Sequence, residues 1–345
     1  MFVKMESSLL AILVYVVSIP VAAWIAGAIF YDAGNASVIG AILAALWIGL
    51  AVSAFVLWHP AWQPFGALVL FFTLFLNWWG SQKPSQHRNW DPHFAQLPRL
   101  DIHGDAIEIE NVRDVDFQSV QEGTPRFERR SFRFSQLCGI DVLILSWDSP
   151  WMCHPMFVFD FGPDGRICIS IEVRYRVGQK YSLLRSLYRQ QELMYVVCDE
   201  RDAILRRIAK DGHDLFLYRV YADLLTVRQF FLEYAHRLNE LAKQPRWYHG
   251  LTTNCTTSIY AQGRGRMQWD WRMLFNGTLD RLMYERGLLD QRLPFDRLKE
   301  ESWVNKIAND APSTGFGDYL RQELTGYQCD VDGSGAHAQS GGQLR

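Results

Sequence analysis

Between Glu6 and Asp32 the chain carries no charged side chain, and between Asp32 and Lys83 it again carries none, with His59 the one ionisable base in the second interval. Such a run cannot coat a water-soluble domain, and crossing a hydrocarbon core takes about 20 consecutive apolar residues. LLAILVYVVSIPVAAWIAGAIF (9–30) and VIGAILAALWIGLAVSAFVLW (38–58) meet that length, and FGALVLFFTLFLNWW (65–79) ends in the aromatic pair expected at a bilayer interface. Residues 1–82 are therefore expected to form an anchor of three transmembrane helices in a multi-pass membrane protein. A signal peptide has a single short apolar region, so it accounts for the first segment at most. Pro20 is tolerable inside a membrane helix. The flanking charges are sparse: Lys4 before the first helix, no Lys or Arg in either connection, and Lys83 and Arg88 after the third. By the positive-inside rule alone they weakly favour a cytoplasmic C-terminal part.

Residues 83–300 are long enough for a soluble domain, and 301–345 read as a C-terminal extension ending, from about Gly326, in a Gly-, Ser- and Gln-rich tail expected to be disordered. With 35 basic against 37 acidic side chains there is no footprint for nucleic acid. The six cysteines contain no CxxC pair, so neither a zinc site nor a thioredoxin-like motif is expected, and a dense disulfide framework is not either. No metal and no cofactor is called for.

After the polar linker SQKPSQHRNWDP, the alternation in AIEIENV, SFRF, DVLILSW, MFVFDFG and RICISIEVR predicts strands. LMYVV and DLFLYRV read as buried strands flanking DERDAILRRIAK, whose acidic start and basic end suit a helix dipole. Leu224, Val227, Phe231, Tyr234, Leu238 and Leu241 make one apolar stripe on a helix that Pro245 ends. The expected class is α+β, with an antiparallel sheet and packed helices.

Two stretches carry candidate chemistry. In CHPMFVFDFGPDGRICISIEVR, Pro163-Asp164-Gly165 suits a tight turn between two strands. Phe157, Phe159 and Phe161, with Ile167, Ile169, Ile171 and Val173, form the core face, and His154 and Glu172 fall together on the other. That pattern fits a base with the carboxylate that orients it, and equally a surface ion pair on a solvated face. In TTNCTT, Thr252, Thr253 and Asn254 are good N-caps, which puts Cys255 in the first turn of a helix. Unpaired N–H groups there lower a thiol pKa and can hold an oxyanion. A small buried cysteine after a cap fits the same residues. His249, His213 and His236 are other histidines within the domain, each open to a structural reading.

From roughly 89 to 290 the chain resembles the Lnb N-terminal periplasmic domain family, named after a bacterial lipoprotein N-acyltransferase. The resemblance is carried by HPMFVFDFGPDGRICISIEVR, YSLLRSLYRQQELMYVVCDERD and PRWYHGLTTNCTTSIY. It implies a papain-like, circularly permuted thiol fold of the NlpC/P60 kind, in which the histidine strand precedes the cysteine helix. It further implies Cys255 as nucleophile, His154 as base and Glu172 as the acid of an SVE-like motif, here SIE. The family pattern sets Thr after the histidine where this chain has Pro155. Asn254, Tyr248, Tyr181, Arg189 and Tyr195 become candidates for lining the cleft, and Glu192 and Arg201 lie in the second of these blocks. The implied protein sits in the bacterial inner membrane with its domain in the periplasm. It acts on a lipid or lipoprotein acyl ester, as acyltransferase or hydrolase. A cell-wall amidase or peptidase of the same fold and a non-catalytic binding module are the alternatives.

Overall fold

The computed structural model describes residues 2–115, 125–147, 149–210, 212–253, 255–262, 270–273 and 275–327, the side chains of 2–8, 209–210, 255 and 260–262 excepted. The expected tail lies largely outside those residues. The chargeless region forms α1 (Phe2–Ala28), continued by a π turn at Ile29–Ala33, then α2 (Val38–Leu57) and α3 (Trp62–Ser81). Leu9–Ala33, Val38–Leu57 and Trp62–Ser81 are each long and apolar enough to cross a membrane. The third begins at Trp62 rather than at Phe65, because Pro64 fits the first turn of a helix, where its missing N–H is not needed. Helix α1 passes through Pro20 without ending.

The strands are β1 (Arg99–His103), β2 (Ala106–Val115), β3 (Pro125–Arg133), β4 (Gly139–Ser146), β5 (Cys153–Asp160), β6 (Arg166–Arg174), β7 (Glu192–Cys198) and β8 (Asp214–Arg219). They form one eight-stranded sheet in the order β1-β2-β7-β6-β5-β4-β8, with β3 on β2. The sheet is mixed rather than purely antiparallel: β7 returns to pair parallel with β2 at Arg113↔Cys198, a long-range contact that local alternation cannot announce. The remaining helices are α4 (Leu183–Ser186), α5 (Glu200–Leu205), α6 (Leu224–Lys243), α7 (Cys255–Gln262), α8 (Leu279–Glu285), α9 (Phe295–Glu301) and α10 (Phe316–Glu323).

The chain divides into two compact units that interleave in sequence. Unit 1 comprises 1–97, 171–194 and 240–257, so it joins the spans to α4 and to the loop that ends at α7. Unit 2 comprises 98–170, 195–239 and 258–345, and holds most of the sheet with α5, α6 and the C-terminal helices.

In unit 2, Phe157 and Phe159 of β5 meet the α6 stripe, with Phe157–Phe230 ring centroids 5.1 Å apart, Phe159–Phe231 5.1 Å and Phe157–Tyr234 6.1 Å. Val227, Phe231, Tyr234 and Leu238 are buried as the periodicity predicts, whereas Leu224, in the first turn, is exposed. The opposite face of β5 is buried as well, which removes the solvated-face alternative for His154. The C-terminal segment packs on the neighbouring strand β4 at Asp141, the residue paired with Val158. Arg321 of α10 reaches Asp141 of β4 at 2.5 Å and Glu200 of α5 at 2.7 Å, and the Tyr327 hydroxyl donates to Asp141 at 2.8 Å. All these groups are buried, and two carboxylates flanking one guanidinium push the Arg321 pKa further up, although burial alone would pull it down. A second buried pair, Arg113–Asp202 at 2.8 Å, ties β2 to α5.

Candidate functional site

The two halves of the expected site fall in different units, and each is held by its own neighbours.

In unit 2, β5 brings His154 into the sheet opposite Leu145 of β4. On the other side the ladder with β6 runs from Asp160↔Arg166 to Met156↔Ser170 and ends next to Pro155, which has no N–H to continue it. The turn over 161–165 closes as the Pro-Asp-Gly signal predicts, with Gly165 at φ 97°. The buried His154 places Nε2 2.8 Å from Ser170 Oγ. Sequence reading passed over Ser170. Glu172, also buried, lies two positions further along β6 on the same face as Ser170, within the part of that strand that belongs to unit 1. The residue before the histidine is clamped by Asn276: Cys153 N donates to Asn276 Oδ1 at 2.9 Å, and Asn276 Nδ2 donates to Cys153 O at 2.9 Å. Such a clamp fixes the backbone from which the imidazole projects, and it comes from a turn more than a hundred positions away.

Beside His154, in the loop before β5 and in the turn that carries Asn276 stand aromatic side chains that the sequence did not single out. Trp147 lies 6.5 Å from the imidazole, and Trp151 packs edge-on to Phe275 at 5.9 Å. All three are exposed despite their size. Among the described residues, Cys153, Cys168, Cys198 and Cys138 form no disulfide; the first three are buried and Cys138 is exposed. Burial pushes the Cys138 thiol up, away from reactivity at neutral pH.

In unit 1, Cys255 is the first residue of α7, as the capping signal predicts. Its side chain and the whole of Asn254 lie outside the described residues. The approach to it is specified in detail. Tyr248 N donates to Gln191 O at 2.9 Å, Leu193 N to Arg246 O at 2.9 Å and Gly250 N to Ser186 O at 3.0 Å. His249 and Thr253 exchange two backbone bonds, at 3.2 and 3.0 Å. Within this small ring, His249 Nδ1 accepts from Leu251 N and Thr252 N, each at 3.3 Å. Burial pulls the His249 pKa down, while a hydrogen bond to the Leu187 backbone opposes that shift. His249 thus serves as a neutral brace for the loop. Gly250 is required by contact: a Cβ there would overlap Ser186 Oγ.

The remaining cleft candidates are occupied in different ways. Tyr248 is buried, and Tyr181 is exposed. Tyr195 is in the core, edge-on to Tyr234 at 5.9 Å. Arg189 donates to Gly80 O at 3.0 Å and Gln82 O at 2.6 Å, and its guanidinium lies 4.0 Å from the Trp79 ring. It therefore ties down the carbonyl end of α3, where a cation is favoured by the helix dipole. Glu192 binds Arg88 at 2.6 Å and accepts from Ser85 N at 3.1 Å; burial nevertheless pushes its pKa up. The amide of Arg201 donates to the Asp199 side chain that caps α5. Among the described residues, no group of three or more His, Cys, Asp or Glu could hold a metal ion.

Fold and spans together define a class: an α+β domain with a mixed eight-stranded sheet, preceded by three helices able to cross a membrane. Within it, residues 123–268 match the Lnb N-terminal periplasmic domain family. This bears out the resemblance read from the sequence, over a shorter stretch than 89–290. The matched segment contains His154, Glu172 and Cys255. No curated protein and no solved structure matches the chain.

Proposed function

We propose that the chain is a membrane-anchored thiol acyltransferase or acyl hydrolase of the bacterial inner membrane, with its domain at 83–300 in the periplasm and a papain-like order of histidine strand and cysteine helix. Two features inside the matched segment support this reading: Cys255 opens α7, and a helix N-terminus favours a thiolate; and His154 is buried with a hydroxyl partner on a strand face that also carries Glu172.

In this reading His154 takes the proton of the Cys255 thiol, and the thiolate attacks the carbonyl carbon of an acyl ester. The N–H groups at the start of α7 hold the oxyanion. Collapse of the tetrahedral intermediate breaks the ester C–O bond, and the leaving alkoxide takes the proton from the imidazolium, leaving an acyl thioester. An amine or water then attacks the thioester, His154 accepts its proton, and the thiolate departs. Glu172 and Ser170 position the imidazole. A membrane anchor suits such a reaction, because a long acyl chain leaves the bilayer only at about 0.8 kcal/mol per CH₂.

The test is a long-chain, thiol-directed ester probe with intact-mass detection. It is expected to leave an acyl adduct on Cys255, to fail with Cys255→Ala, and to label far more slowly with His154→Ala. Labelling that survives Cys255→Ala rules this nucleophile out. Release of new fragments from peptidoglycan favours an amidase instead.

A further inference from the structure

Helix α4 and the loop before α7 expose apolar side chains where a soluble surface would be polar. Leu183 is 49 % exposed, Leu184 61 % and Leu251 50 %, and Tyr181 beside them is exposed too. They form one patch, since Gly250 N bonds Ser186 O and Leu183 Cδ1 lies within contact distance of a Cβ built on Gly250.

The same segment is bolted to the spans. Tyr188 stacks on Tyr31 at 5.1 Å and on Trp24 at 6.3 Å, and its hydroxyl occupies the space a Cβ at Gly27 would fill. Gln190 Nε2 donates to Asp32 Oδ1 at 2.9 Å, and Trp79 Nε1 donates to Asp32 Oδ2 at 2.7 Å. At a rise of about 1.5 Å per residue, Gly27 lies about 9 Å below the Ala33 end of its span. The 25-residue span is about 37 Å long on that rise, against a hydrocarbon core of about 30 Å. Tyr188 therefore reaches the boundary between headgroups and acyl chains. Arg185, in α4, stands 5.9 Å over the Tyr31 ring, at headgroup level.

From this continuity we infer that Leu183, Leu184 and Leu251 form a membrane-docking surface that dips into the leaflet of the bilayer holding the protein's own spans. Three half-exposed leucines beside a tyrosine and an arginine suit that zone, where apolar bodies face the chains and the cation faces lipid phosphate. The surface does not depend on the thiol chemistry. If that chemistry holds, the docking has a consequence that rests on it: the strand of loop leading to Cys255 runs at the depth of a lipid ester linkage. The substrate class is then a lipid or lipid-anchored molecule met within the leaflet, not one delivered from solution.

The experiment uses the full chain in phosphatidylglycerol/phosphatidylethanolamine nanodiscs, with p-benzoylphenylalanine replacing Leu184 or Leu251 in turn. A probe replacing Leu50, an exposed side chain of α2, is the positive control. On irradiation, mass spectrometry is expected to find lipid adducts at 184 and 251 in amounts comparable to those at 50, and equally so in a Cys255→Ala background. Lipid adducts at 50 with none at 184 or 251, or adducts there only to protein, overturn the docking surface. Failure of the ester probe at Cys255 with lipid adducts retained removes only the thiol reading.

Discussion

The two units hold their chemistry in opposite ways. Unit 2 fixes His154 from within: a strand flanked by neighbours on both sides, phenylalanines packed on α6 beneath it, and a buried Arg321–Asp141–Glu200 cluster bracing the neighbouring strand β4. Unit 1 holds the approach to Cys255 from without, by backbone bonds onto 186–193 and by one carboxylate, Asp32, tying that segment to the spans. Packing resists change in steps of several kcal/mol, whereas a tethered loop responds to each single contact. The surroundings of His154 are thus built as scaffold, and the loop before Cys255 as a tethered part of the unit that carries the spans.

The largest effect is expected from Arg321→Ala, which leaves Asp141 and Glu200 buried without their shared cation. Removing one partner from such a cluster costs about 3–5 kcal/mol. Hydrogen exchange over β4 and α5 reads that loss, while the 246–253 loop of unit 1 keeps its protection. Loss below about 1 kcal/mol in unit 2 sinks the scaffold half of the comparison.

Next is Gly250→Ala, which drives a methyl into Ser186 Oγ. Overpacking of this kind costs about 1–3 kcal/mol. It is expected to slow probe labelling at Cys255 without altering exchange in β5. The double variant with Ser186→Ala removes the clashing atom and restores the rate. A single and a double variant that behave alike show that the loop is not held at this contact.

A pH effect comes third. The folded state keeps His249 neutral, with its pKa below the ordinary histidine value of about 6.5. Its contribution to stability is full above that value and is lost as pH falls through it toward the folded pKa, because the unfolded chain takes the proton first. Protonation also sets a new N–H against the Leu251 and Thr252 amides that Nδ1 now accepts. Exchange of those amides is therefore expected to accelerate, beyond intrinsic rates, below about pH 6.5, and His249→Asn, whose side-chain oxygen can accept at all pH values, is expected to flatten the profile.

What could be read in the sequence follows the same division. The spans were legible because charge is excluded from them throughout, and the α6 stripe because a helix must bury one face. Cys255 at the start of α7 was legible because capping is local chemistry. Four things were hidden. The parallel return of β7 to β2 and the ion pair of α10 with Asp141 of β4 depend on partners scores of residues away. The role of Arg189 depends on the carbonyl end of a helix that the chain left about a hundred residues earlier, so a cationic cleft residue and a helix-end tether look alike in sequence. Ser170 was passed over because a serine on a buried strand carries no signal until its hydroxyl meets an imidazole.

The smallest effect tests the tether itself. Asp32 accepts from Trp79 Nε1 at 2.7 Å and from Gln190 Nε2 at 2.9 Å, and polar contacts of this kind at membrane depth are worth only about 0.6–1.7 kcal/mol. Asp32→Ala is therefore expected to leave the spans and unit 2 unchanged and to weaken protection of 186–190 about fivefold, the factor that about 1 kcal/mol carries. Because Ser186 O holds Gly250 N, the loss should pass on to the amides of 250–253 in the same proportion. Asp32→Asn keeps one accepting oxygen and is expected to fall between. If the 186–190 segment loosens while 250–253 does not, the anchor ends at Ser186, and the loop before Cys255 is held by unit 1's β7 edge alone.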